Sequence, residues 1–148
     1  MKPAIKTFSI VFLLLAFFVS CTKEKVAINT PSGKSLLMAH TWQLEEVTEL
    51  VAGKTIVVYQ RSQERNADDF ALVRQSFKED GSILFVDQFG NTGNDGEYEL
   101  NADGSKIKLS LGAEQLAGEQ VLINAQSFAY TVKLSEEDAV QYRFTPVF

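Results

Sequence analysis

Few residues of this chain have types and spacing suited to acting on a substrate. His40 is the only histidine and Cys21 the only cysteine. A multi-histidine metal site is therefore excluded, and a nucleophile–base arrangement would have to rely on His40 alone. Standing just before an apolar–polar alternation, His40 reads as a polar residue at the start of a strand. Glu45 and Glu46 form an acidic pair, yet glycoside hydrolysis needs two carboxyl groups facing each other across a cleft, and neighbouring strand residues point to opposite faces. The loop Gly90-Asn-Thr-Gly-Asn-Asp-Gly96 has three glycines, holds no lysine and leads into no helix. It reads as a hairpin connection rather than a phosphate cradle. Asp87, Asn94 and Asp95 could offer oxygens to calcium, but their spacing is not that of an EF-hand loop. No catalytic residue, metal ligand or cofactor site is predicted, and a non-enzymatic role is the expectation.

What remains is aromatic. Tyr98 alternates in phase with Leu100, Tyr130 with Phe128 and Val132, and Tyr142 with Val140 and Phe144. This places all three on the buried faces of their strands. A buried hydroxyl left unpaired costs roughly 1–3 kcal/mol, so three on one interior need partners from each other, from water or from a ligand. Tyr98, Tyr130 and Tyr142 are accordingly the expected lining of a binding cavity. The plainer alternative is that each is ordinary core.

The elements that must position them read mostly as strands. From Trp42 onward the chain shows period-2 alternation broken by Gly-containing turns. Strands are expected at Trp42–Glu45, Thr55–Tyr59, Phe70–Phe77, Ile83–Val86, Glu97–Leu100, Lys106–Leu111, Phe128–Leu134 and Val140–Phe144, with a short one possible at Gln120–Asn124. Asp80-Gly81 and Asp103-Gly104 mark hairpins, because glycine accepts positive φ without steric penalty. Residues 112–118 read as either a helical turn or a loop, Arg61–Asp69 as a solvated mixed-charge loop, and Ser35–Ala39 as a short helical turn that plugs one end. Eight or nine strands joined by tight turns predict an all-β fold, an antiparallel up-and-down sheet of about eight strands whose closure into a barrel removes exposed edges.

The N-terminus carries a different pattern. Lys2 and Lys6 precede an uncharged apolar run from Phe8 to Val19, the layout of an export signal. The run is too short for a stable membrane span, which needs about 20 apolar residues. It ends in Phe18-Val19-Ser20-Cys21, which resembles the lipobox of bacterial lipoproteins, with Phe18 where leucine is usual. The resemblance implies removal of residues 1–20 and acylation of Cys21, anchoring the protein to a membrane of the cell envelope on its periplasmic or outer-membrane face. Residues 21–33 then form the acylated cysteine and a turn-rich tether, and residues 34–148 the domain. Removing residues 1–20, which hold two lysines and no acid, takes the net charge from −5 to −7. Such a surface repels polyanions, so nucleic acid is not an expected partner.

The order Leu36-Leu37, Thr41-Trp42-Gln43-Leu44, Ser76-Phe77, Asp80-Gly81-Ser82, Gly96-Glu97-Tyr98-Glu99-Leu100, Asp103-Gly104, Ile107 and Leu109 resembles the bacterial lipocalin-like domains of short anchored lipoproteins. The resemblance spans about residues 35–146. In lipocalins proper a Gly-x-Trp element opens the first strand and a late Arg or Lys packs over that tryptophan. Here His40 holds the glycine position, so the resemblance is to the looser lipocalin-like group. It implies a structural cation–π contact between Trp42 and Arg143, while the residues alone allow Arg143 to be a solvated strand residue. It also favours a small apolar or amphipathic ligand inside the barrel. The alternative function is a protein–protein or inhibitor module of the envelope, using loops 60–69 and 89–96.

Overall fold

The computed structural model describes residues 32–148. The expected signal at 1–20, Cys21 and the tether up to Pro31 lie outside the described residues. A six-residue helix, α1 (Gly33–Met38), precedes nine strands: β1 (Thr41–Val51), β2 (Lys54–Gln60), β3 (Arg74–Phe77), β4 (Ser82–Val86), β5 (Thr92–Leu100), β6 (Ile107–Leu111), β7 (Glu114–Asn124), β8 (Ser127–Lys133) and β9 (Ala139–Val147). All neighbours pair antiparallel, and β1 closes the ring against β9. The result is the expected all-β barrel, with eight staves. The ninth strand, β2, shares one side of β1 with β3: Glu46–Val51 pair with β2, and Thr41–Gln43 with β3.

Turn chemistry sets the hairpins. Asp80-Gly81-Ser82 and Asp103-Gly104-Ser105 repeat one device, in which glycine takes positive φ (89° and 73°) and the aspartate Oδ1 accepts from both the serine N–H and the serine hydroxyl. These bonds favour the charged form and hold both carboxyls below their usual range. At β4–β5 the carboxylate of Asp87 accepts from the backbone of Phe89 and Asn91 and from the Asn91 side chain. Asp87 therefore closes its own turn.

Four register shifts interrupt the ladders, and those in β1 against β9 and in β7 bear most on the inward phase read from sequence. Between Leu44 and Glu46, β1 gains a residue relative to β9, so the buried set runs Trp42, Leu44, Val47. Glu45 and Glu46 consequently both face outward, contrary to the opposite-face expectation: Glu45 pairs with Arg61 at 2.6 Å and Glu46 with Arg143 at 3.0 Å. In β7 the register slips between Glu119 and Leu122 around Gln120, which holds a positive φ of 52°. The inward set becomes Leu116, Gly118, Val121; the 112–118 stretch read as a helical turn or loop is turn at 112–113 and strand from Glu114, continuous with the short strand expected at Gln120–Asn124. The third strand is shorter than expected, with Phe70–Val73 in the loop before it.

One end of the barrel is closed and dense. Serine 32 caps α1, its side chain accepting from Ser35 N–H, and the helix presents Leu37, which is fully buried. The Trp42 indole N–H donates to Leu37 O at 2.7 Å. Phe128 sits among Trp42, Phe77, Tyr130 and Phe144, with ring centroids 5.4–5.8 Å away, edge-on to Phe77, stacked on Phe144 and tilted to the other two, distances at which aromatic pairs attract.

Candidate functional site

The other end is open. A cavity of about 550 Å³ lies between β1, β3, β8, β9 and the β4–β5 and β6–β7 turns. Its inner wall includes Leu44, Val47, Gln75, Tyr130 and Phe144. Its mouth carries Glu49, Asp68, Glu114 and Tyr142.

Each part has a local cause. Tyr130 lies directly across from Tyr142 on β9, and the two rings stack at a tilt of 31° with centroids 5.3 Å apart. The Tyr130 ring lies against Gly118 of β7, where an added Cβ would sit 3.0 Å from it. Only glycine leaves room for the phenol there. On the opposite wall Phe85 lies over Gly93, where an added Cβ would overlap the ring. The β2–β3 loop forms part of the cavity wall as well as a solvated surface. Phe70 packs edge-on against Tyr59 at 5.5 Å, and Ala67 N–H donates to Val58 O. This brings Asp68, Phe70 and Val73 to the lining.

The electrostatics of the site are uneven. Burial pushes the Tyr130 phenol far up, the Gln75 amide beside it offsetting part of the shift. Burial also raises Tyr142, reinforced by the negative charges of Glu114 and Glu49. Both phenols therefore stay protonated at neutral pH. Gln75 is 3% exposed, and its Oε1 finds no hydrogen-bond donor among the described residues. A buried acceptor without a donor is unusual in a folded protein. Among the described residues, four carboxylates line the cavity against one cation, Arg74, and Arg74 lies in the outward phase of β3.

The three expected tyrosines are thus divided. Tyr130 and Tyr142 line the cavity together, whereas Tyr98 lies at the closed end, packs edge-on against Phe77 and donates to Lys78 O at 2.7 Å. Its hydroxyl has a partner, which the expectation of a shared three-tyrosine lining did not provide for. The Trp42–Arg143 contact implied by the lipocalin resemblance is replaced by another arrangement. Arg143 alternates with the inward Tyr142 and Phe144, so it faces outward and pairs with Glu46, while Trp42 packs against His40 and Phe128. Sequence reasoning missed Gln75 although its signal was present: it is a polar residue in phase with Val73 and Phe77. Glu49 was hidden by the β1 bulge, since unbroken alternation from Trp42 places it outside. Among the described residues, no three His, Cys, Asp or Glu side chains converge as a metal site would require. No protein-family model matches the chain, and no curated protein matches it.

Proposed function

We propose that this protein is a non-enzymatic, membrane-anchored lipoprotein of the cell envelope whose barrel binds a small amphipathic molecule through its open end. The observation that carries the reading is the cavity itself. It joins a volume in the range of small-ligand sites, an apolar and aromatic wall, and a few converging polar groups. Of the two buried polar side-chain atoms left without a partner among the described residues, Gln75 Oε1 supports it because Gln75 lines the cavity, whereas the Tyr59 hydroxyl lies outside the lining. The export pattern and the Ser20-Cys21 junction support the anchored location.

The binding test is titration of the full chain with the neutral fluorophore N-phenyl-1-naphthylamine, following the probe's own emission because Trp42 lies at the far end. Saturable binding is expected, abolished by Leu116→Trp, since Leu116 lines the cavity two residues along β7 from Glu114 of the mouth and the indole would fill it, and unchanged by Tyr98→Phe. Binding that is non-saturable or indifferent to Leu116→Trp would refute the cavity as the site. For the anchor, Cys21→Ser is expected to end incorporation of labelled fatty acid and release the protein from membranes. Unchanged membrane association would exclude acylation there.

A protein-partner reading has one observation in its favour. Ile56 and Val57 are each 49% exposed on β2, which pairs only with β1, and Phe89 is exposed at the β4–β5 turn. The returning 61–73 loop covers part of the β2 edge through the Ala67–Val58 bond, which leaves the cavity as the stronger candidate.

A further inference from the structure

The chemistry of the cavity narrows the class of ligand, an inference that rests on the binding function proposed above. Its lining is rich in acceptors and poor in donors. Of the four carboxylates, Asp87 is engaged by its own turn, while Glu49, Asp68 and Glu114 form no ion pair among the described residues. Gln75, which lines the same cavity and is 3% exposed, has a buried Oε1 with no donor among the described residues. The half-buried ring of Tyr142, packed at a tilt against the buried Tyr130, belongs to the same lining, and an accessible aromatic face attracts cations.

We infer that the cavity takes a small organic ammonium ion, with the cation held by Glu49 and Glu114 beside Tyr142 and a hydrogen-bond donor at the far end of the ligand meeting Gln75 Oε1. Three features of the site converge on this class. A fatty acid or other anion would bring its charge against unpaired carboxylates. A bare metal ion would need ligands converging on one point, which the described acids do not provide. A neutral apolar molecule would leave both the rim charges and the Gln75 acceptor unanswered. Burial is the main cause of the raised Tyr142 phenol, and the smaller further rise from Glu114 and Glu49 agrees with a negative field at that ring.

Four small probes separate the elements: tyramine (cation and phenol donor), phenethylamine (cation only), tyrosol (donor only) and 4-hydroxyphenylacetate (anion and donor). Calorimetric titration of the full chain at low salt is expected to rank tyramine first, by about tenfold or more over 4-hydroxyphenylacetate, with phenethylamine and tyrosol between them. Added salt should erode the tyramine advantage over tyrosol. The Glu49→Gln/Glu114→Gln variant should erase that advantage, whereas Glu79→Gln/Glu97→Gln, an equal charge change at the closed end, should leave it intact. If the rim variant fails to fold, the salt dependence and the probe ranking in the unmodified protein decide the question. Tyrosol or 4-hydroxyphenylacetate binding as tightly as tyramine would overturn the cation assignment. So would equal loss in the two double variants, which would mark the preference as a whole-protein charge effect. None of the four binding while N-phenyl-1-naphthylamine still saturates would overturn this inference alone. Failure of that fluorophore as well would overturn the ligand-binding reading beneath it.

Discussion

The two ends of the barrel are built from similar residues and treat their polar atoms in opposite ways. At the closed end the Trp42 indole donates to Leu37 O and the Tyr98 hydroxyl to Lys78 O, each at 2.7 Å, and α1 covers the core. At the open end Gln75 Oε1 lacks a donor and two rim glutamates lack cations among the described residues. A tyrosine is therefore no marker of function by itself. Tyr98 and Tyr130 look alike in the sequence, and what separates them is whether the hydroxyl is answered by the protein's own backbone. Stability is concentrated where polar groups are satisfied, and binding potential where they are not.

This contrast is exposed most sharply by Phe128→Ala. Phe128 is fully buried and touches four other rings, so denaturant unfolding should register a loss of about 3–5 kcal/mol. A loss below about 1 kcal/mol would mean that the closed end collapses around the gap, and that the packing contrast is overstated.

Alkali should act through the open end. Burial raises the folded-state pKa of Tyr130 and Tyr142 above the ordinary value of about 10. Their stabilising contribution is therefore fully present below about pH 10 and is lost as pH climbs toward the raised folded values, where the unfolded chain releases the proton first. Thermal melts from pH 9 to 12 should show a falling Tm whose slope is shallower in Tyr130→Phe. An unchanged slope would show that the Tyr130 hydroxyl is better solvated than its burial implies.

Gln75→Met should behave in the reverse sense to Phe128→Ala. It removes an unanswered acceptor at similar volume together with the amide contact to the Tyr130 phenol, so the two effects offset and stability should stay within about 1 kcal/mol while tyramine affinity falls. A loss of 2 kcal/mol or more, about the penalty for breaking a satisfied buried bond, would place Gln75 in the structural network and undo the contrast.

Smallest of all should be Arg143→Ala. Its pair with Glu46 is partly exposed, with side chains 37% and 24% accessible, so the change should be under about 1 kcal/mol by denaturant titration. A larger loss would make the β1–β9 seam a third region that supports the barrel, beside its two ends.

The same division governs what was legible in the sequence. The closed barrel was readable because alternation in β6, β8 and β9 survives intact and the Asp-Gly-Ser turns announce their hairpins. Period-2 reading carries no memory of an inserted residue. The bulge at Glu45 moved Glu49 onto the cavity wall and sent both members of the acidic pair outward, and the bulge at Gln120 disguised one long strand as an ambiguous segment. Arg143 could not be assigned because its partner, Glu46, lies on a strand nearly a hundred residues away. Tyr98 was grouped with Tyr130 and Tyr142 because all three occupy inward phases, and inward phase does not say which end of a barrel a residue occupies.

The most direct test of the central claim, that the open end is a binding site and not a flaw in the core, is native mass spectrometry of the full protein purified gently from the cells that make it. The account predicts a retained small-molecule adduct on the wild type, absent when Leu116→Trp fills the mouth and retained when Tyr98→Phe alters the closed end. Adduct-free wild-type protein, or an adduct unmoved by Leu116→Trp, would contradict it.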